Sequence, residues 1–295
     1  YRMLQEVCED LNVTCLGYLP KQKELEQESR HLGLDFSRSK ETEGLDMLAG
    51  LLEEHVDWEL LLSTIGLPLP AAAVEEKSVL SEPGKLHISV ARNEESFSFL
   101  YAEHLDILRR MGTVTFFNPE QDRAIPQETD LLYLPGGYPE LYAGQLSANR
   151  SMLASVRRAV ERGLPTVAEC GGFLYLGQSL EDASGKCWPM AGVLPGQGFR
   201  VGRLVRFGYA TLTAHADSML FRAGERLPVH EFHHWDSTDN GTGFTAAKPN
   251  GKQWDCGFAN EHFYAGFPHL YWAGTALPRR FVDAAAHYHQ EEQDQ

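Results

Sequence analysis

The chain has 295 residues, 43% of them hydrophobic and 23% charged, a balance that suits one large or two ordinary globular domains and not a disordered chain. Its formal charge of −15 argues against nucleic acid and against an anionic membrane surface as partners, while a local basic patch can still hold an acidic small molecule. No apolar run reaches the roughly 18 residues of a membrane span and nothing at Tyr1 resembles a signal peptide; the missing initiator Met reads as the mark of a fragment or processed product.

The first 68 residues open on a helix-like piece. NVTCLGYLP then reads as a short buried strand ending at Pro20, and the polar KQKELEQESRHLGL follows. An amphipathic helix is expected from Glu41 to Ile65, with Leu45, Leu48, Leu51, Leu52, Val56 and Leu60 on one face. One strand and two helices bury too little surface to stand alone, so residues 1–68 read as the tail of an α/β domain. LPLPAAAVEEKSVLSEPG is rich in Pro, Ala and charge and marks a linker, assigned to residues 69–84.

Residues 85–295 change texture. LHISVAR is a strand, Phe97 to Met111 a helix, VTFFN a strand, and DLLYLPGG a strand ending in two glycines. Ser147 to Arg162 is a helix, PTVAEC a strand and GGFLYLG the next helix. This alternation is the pattern of an α/β fold with a mainly parallel, doubly wound sheet, whose active edge lies at the carboxyl ends of the strands. Residues 188–266 are rich in short strands and turns and are expected to form an antiparallel extension. A closing helix over 278–290 and a disordered EEQDQ tail complete the reading.

Three strand ends meet at the expected active edge. PGGYPE, Pro135 to Glu140, has two glycines that permit a tight turn and leave backbone N–H groups free to face a ligand oxygen. Cys170 in AECGG stands where a strand turns sharply into a helix, which exposes the side chain and favours its thiolate. His269 in GFPHLYWAG follows a strand-like run and can serve Cys170 as general base. A nucleophile, a base and an oxyanion hole from the Gly171 N–H and an N–H of Gly136 or Gly137 are the parts for acyl transfer through a thioester. A cysteine at a strand end is most often a small buried hydrophobe. The two glycines on each side of this site and the late histidine set Cys170 apart, whereas Cys8, Cys15, Cys187 and Cys256 read as packing residues.

Absences narrow the chemistry. There is no CxxC pair, so neither a disulfide framework nor a cysteine zinc site is indicated, and a reducing cytoplasm is the expected setting. No GxxxxGK[ST], no GxGxxG after a strand and no GxSxG occurs. HEFHH, His230 to His234, reads as strand residues along a polar cleft, and no metal site is assigned.

GGYPE, LSANRSM, AECGGFLYLG, GYATLT, HEFHH and the late histidine, in this order, resemble the glutamine-amidotransferase half of cobyrinate a,c-diamide synthases over most of residues 85–275. LGYLP and RHLGL resemble the end of that family's ATP-binding domain. The resemblance implies a class I glutamine amidotransferase fold. It also implies a ligase of cobalamin biosynthesis that amidates the a and c acetate side chains of a corrinoid with glutamine, ATP and magnesium. Cys170 would form the glutamyl thioester, and His269 would take the thiol proton and later activate water. Ammonia would pass to the ATP-binding domain, where ATP has turned a carboxylate into an acyl phosphate. Lacking a P-loop, this chain alone is not expected to bind ATP and Mg2+ productively; that portion is expected in cis or in trans.

The departures from the family are specific. Tyr271 stands two residues after His269, where class I amidotransferases usually carry a glutamate, so the group orienting His269 is unidentified and a Cys–His dyad is expected. Glu169 fits the AECGG pattern; it is expected to hydrogen-bond locally or to shape the glutamine pocket and is given no catalytic role. RNEESFSFLYAEHL resembles a family segment D-x-A-F-x-F-Y-Y-x-x-N-L, with His104 at the asparagine and Glu94 or Glu95 near the aspartate. Two other readings compete: a stand-alone elbow-cysteine hydrolase, and a tetrapyrrole-binding or ATPase-docking module without catalysis. The tetrapyrrole amidated and the oligomeric state, a homodimer included, stay open.

Overall fold

Apolar residues at helical spacing give the first unit, Tyr1–Glu75, its helices α1 Arg2–Asp10, α2 Thr42–His55 and α3 Trp58–Ile65, with a two-residue antiparallel ladder of β1 Ser29–Arg30 on β2 Gly33–Leu34. The computed structural model describes residues 1–23, 29–30, 33–34, 42–65 and 86–294. The single helix expected from Glu41 to Ile65 is therefore two. Val56 leaves the helix to bridge Gly17. The Asp57 N–H donates to the Leu16 carbonyl at 2.7 Å. Its carboxylate accepts from the Leu60 N–H at 2.9 Å, an N-cap that starts α3. The strand expected in NVTCLGYLP reduces to that one bridge, and Val13, Tyr18 and Leu19 are exposed. The proposed linker over 69–84 and half of KQKELEQESRHLGL lie outside the described residues.

The second unit, Glu76–Gln295, opens with β3 Leu86–Ala91, α4 Ala102–Met111, β4 Gly112–Phe117 and β5 Leu131–Leu134. A 3-10 turn over Pro139–Leu141 leads to α5 Ala143–Ala148, α6 Arg150–Glu161, β6 Thr166–Glu169 and α7 Gly171–Leu176. Eleven short strands follow: β7 Ser179–Glu181, β8 Cys187–Pro189, β9 Gln197–Arg200, β10 Arg206–Ala214, β11 Arg226–His233, β12 Trp235–Ser237, β13 Phe244–Ala247, β14 Gln253–Cys256, β15 Phe258–Ala259, β16 Phe263–Gly266 and β17 His269–Leu270. Helix α8, Leu277–Asp294, closes the chain.

The central sheet runs β15-β16-β6-β5-β3-β4 and is parallel except at the β15 edge. Its inner strands are buried on both faces, which is why LLYL and TVAE read as continuous runs and not as alternation. One face carries Leu132, Leu134 and Ala168 against Val156 of α6 and Phe173 of α7. The other carries Leu131, Tyr133 and Val167 in a cluster with Leu108 of α4, Leu212 of β10 and Phe281 of α8. The antiparallel extension is two sheets, β14-β13-β10-β11-β17 and β12-β9-β7-β8, the latter with one parallel pair, β7 on β9.

Four boundaries differ from the sequence reading. The end of the segment expected in the antiparallel extension supplies β15 and β16 of the central sheet, with β16 parallel to β6. The helix expected from Phe97 begins at Ala102, because Phe99 forms a bridge with Gly136 instead. The helix expected over Ser147 to Arg162 is broken at Asn149, whose side chain caps α6. The closing helix runs on to Asp294, so the backbone of the tail is helical where disorder is expected.

Candidate active site

Strand β6 ends at Glu169, and Cys170 turns the chain into α7 with φ +49° and ψ −101°. Such a backbone is uncommon for a residue with a Cβ and costs about 1–3 kcal/mol. The surroundings enforce it: the Cys170 N–H donates to the Gly266 carbonyl at 2.8 Å, and the Gly172 N–H to that of Pro135 at 3.0 Å. A Cβ on Gly172 would stand 2.0 Å from the Leu134 carbonyl oxygen, so only glycine lets α7 start this close to β5. The Cys170 side chain is buried at the head of α7.

Strand β16 lies beside β6, and the chain continues from Gly266 through Phe267 and Pro268 into β17, which opens with His269. The buried His269 ring packs against Phe99 at a centroid distance of 4.8 Å, and Cys170 lies close enough to act on its protonation. Its Nδ1 lies 3.7 Å from Oε2 of Glu169, an ion-pair distance. Burial alone would lower the pKa of His269. Cys170 and Glu169 outweigh it and lift the ring from 6.5 to about 10. Glu169 is itself buried; its Oε2 accepts from the Tyr133 hydroxyl at 2.9 Å and its Oε1 from the Leu270 N–H at 3.1 Å.

The glycines of PGGYPE approach the same point. A Cβ on Gly136 would meet His269 Cε1 at 2.7 Å, and one on Gly171 would stand 3.0 Å from the Gly137 nitrogen. The Gly136 carbonyl accepts from the Phe99 N–H at 3.1 Å. In a trans peptide the following N–H, that of Gly137, points the opposite way, away from Phe99. Gly137 has φ +155°, and a Cβ there would collide with the Ser96 carbonyl oxygen at 2.2 Å. The Gly171 N–H is the first of α7 and has no partner within the helix. Thus Cys170, His269, Gly136, Gly137 and Gly171 come together at one place. Nearby Glu140 is buried, which raises its carboxyl to about 7.

Sequence reasoning gave Glu169 no catalytic role, only a local hydrogen bond or a part in shaping the glutamine pocket. The signal was an acidic residue on a strand buried on both faces, which needs partners that only the tertiary fold supplies. Tyr271 directs its hydroxyl to the Glu103 carboxylate and not to His269. His104 is buried and stacked on Trp272 at 4.7 Å, its Nε2 accepting from the Trp272 N–H at 3.3 Å; burial lowers its pKa.

HEFHH lies on β11 and just beyond it, where its side chains have separate roles. His230 pairs with His269 across the β11–β17 ladder. Glu231 accepts from Trp254 Nε1 and contacts His233 Nε2, both at 3.2 Å. The His233 ring stacks on Phe267 at 3.8 Å and 3°, two residues before His269. Among the described residues no group of three or more His, Cys, Asp or Glu is arranged to hold a metal. Of the other cysteines Cys256 is buried, Cys8 and Cys15 are half-buried, and Cys187 is exposed, so packing does not account for Cys187.

A family model described as the CobB/CobQ-like glutamine amidotransferase domain matches residues 87–276. The chain is 38% identical over 301 residues to a cobyrinate a,c-diamide synthase of Caldanaerobacter subterraneus subsp. tengcongensis, covering 98% of this chain and 65% of that protein. It is 35% identical over 283 residues to a cobyrinate a,c-diamide synthase of Salmonella typhimurium, covering 92% and 61%. The chain thus spans less than two thirds of the length of these relatives. A crystal structure from Thermoplasma acidophilum, assigned to a GMP synthase protein, superimposes with a TM-score of 0.50 at 17% identity, over 71% of this chain and 98% of that one, a likeness of fold alone.

Proposed function

The chain belongs to the CobB/CobQ-like glutamine amidotransferase family, and on that premise we propose that residues 85–295 are the glutaminase half of an ATP-dependent cobyrinate a,c-diamide synthase. The observation that carries this reading is Cys170 held at positive φ on a strand-to-helix turn, with the buried His269 ring close enough for the cysteine to raise its pKa. The relatives named as cobyrinate a,c-diamide synthases supply the substrate side: a corrinoid whose a and c carboxylates receive ammonia from glutamine.

The Cys170 sulfur, as thiolate beside the imidazolium of His269, attacks the side-chain amide carbon of glutamine. The oxyanion that forms is met by the N–H groups of Gly137 and Gly171, with Gly136 fixing the orientation of the Gly137 peptide. Collapse breaks the C–N bond, His269 gives its proton to the departing nitrogen, and ammonia leaves a glutamyl thioester. Neutral His269 then takes a proton from water, whose oxygen attacks the thioester carbon. Glutamate is released and the thiolate–imidazolium pair is restored. The net reaction is glutamine plus water to glutamate plus ammonia.

ATP and magnesium belong to the amidation step. The sequence has no GxxxxGK[ST], and among the described residues no three or more His, Cys, Asp or Glu are grouped to hold a metal. We assign ATP and Mg2+ to the ATP-binding portion, joined in cis or in trans, with residues 1–68 read as the end of that domain and 69–84 as its linker. In the complete synthase, Cys170→Ala is expected to abolish glutamine-dependent amidation and to spare amidation with free ammonia. Retained glutamine use by that variant would contradict the proposal.

A further inference from the structure

We infer that Glu169, steadied by Tyr133, is the positioning residue that orients His269 and holds its proton. The inference rests on the glutaminase reading for its kinetic consequences but not for its geometry. Alternation along β6 puts Val167 and Glu169 on one face and Ala168 on the other. Tyr133 of β5 is the register partner of Val167 and reaches the same face. Glu169 therefore lies among Tyr133, Tyr264 and Trp272, which are essentially inaccessible to solvent. A carboxylate is expensive in such surroundings unless donors surround it.

The donors it has are informative. Tyr133 Oη and the Leu270 N–H take one oxygen each, and the oxygen shared with Tyr133 is the one 3.7 Å from His269 Nδ1. With Nδ1 turned to a carboxylate, the other ring nitrogen is left for the sulfur, the division of labour that a third group provides in a triad. Glu169 and Cys170 are adjacent on one strand end, so the nucleophile and the group orienting its base are set by the same piece of backbone. Tyr271, in the position where a glutamate would be looked for, is turned to Glu103. A purely architectural role, as a strut for the Leu270 N–H, is the alternative that a test must separate.

Glu169→Gln does so, because the amide oxygen keeps an acceptor for Leu270 while the charge is lost and the atom nearest His269 becomes an NH2 donor that no longer accepts from Tyr133. The titratable groups acting on His269 are Cys170 at the start of α7, Glu169 on β6, His104 on α4 and His230 on β11, while Tyr133 of β5 and Tyr101 act on Glu169. Two measurements are made on wild type and variant: glutaminase kcat and KM, and the NMR titration of the His269 ring, identified by its loss in His269→Gln. The expected result is a fall in kcat of about 100-fold at little-changed KM, with the ring titrating at lower pH than in wild type. Unchanged kcat and an unchanged titration would overturn the inference and leave the glutaminase reading standing. Should wild type itself fail to hydrolyse glutamine, that reading fails, and the ring titration alone decides whether Glu169 holds the His269 proton. If Glu169→Gln does not fold, Tyr133→Phe removes only the hydroxyl. A fall in kcat of about threefold or more at constant KM is then expected, and no change in kcat or titration would overturn the inference.

Discussion

At the scale of single residues, the site is a set of close approaches that leave no room for a Cβ. Gly136→Ala would place a methyl 2.7 Å from His269 Cε1, a contact with a side chain that can yield by rotating off its line to Cys170. We expect a folded protein with glutaminase turnover down about 100-fold, since displacements near 1 Å have that effect; wild-type turnover would argue against His269 as the base. His269 also links stability to pH. Its folded pKa is raised from 6.5 to about 10, so the native state holds a proton that the unfolded state releases in between. Its contribution is complete below 6.5 and is lost as pH rises towards 10. Denaturant titrations from about pH 6 to 10 are expected to show stability falling, with a shallower fall in Cys170→Ala, because the sulfur is one cause of the shift. The turn at Cys170 was legible in the sequence, since strand–Cys–Gly–Gly–helix is a local pattern. Glu169 was not, because its role depends on which face of β6 it occupies and on contact with Leu270, 101 residues away.

At the scale of elements, the parallel alternation from β3 to α7 could be read directly, because buried strands and amphipathic helices have different periods. What escaped was where helices break. Asn149 interrupts an apolar pattern that runs through it, accepting from the Met152 N–H at 3.3 Å and donating to the carbonyls of Pro119 and Asp122 at 2.9 and 2.7 Å. The same residue thus caps α6 and ties it to the loop after β4. Asn149→Ala is expected to lower unfolding stability by about 1–2 kcal/mol while leaving glutaminase KM and kcat near wild type; a neutral effect on stability would mean the cap is dispensable. Phe99 shows the same limit of pattern. Its apolar spacing suits a helix, yet its N–H is taken by Gly136 across the sheet edge, a partner no local window contains.

At the scale of the whole molecule, the residues matched by the family model, 87–276, lie within the second unit. Every residue assigned above to the glutaminase chemistry lies there too; the reading of the first unit as the end of an ATP-binding domain rests on resemblance. That division predicts that the second unit's chemistry, formation of the Cys170 thioester, is separable from amidation. The most direct measurement is labelling of the chain with diazo-oxo-norleucine, a glutamine-mimicking electrophile, followed by peptide mapping. A stoichiometric adduct on Cys170 that excess glutamine blocks is the predicted result. No adduct there, with Cys170 still open to iodoacetamide, would contradict the claim that these residues form a glutamine site.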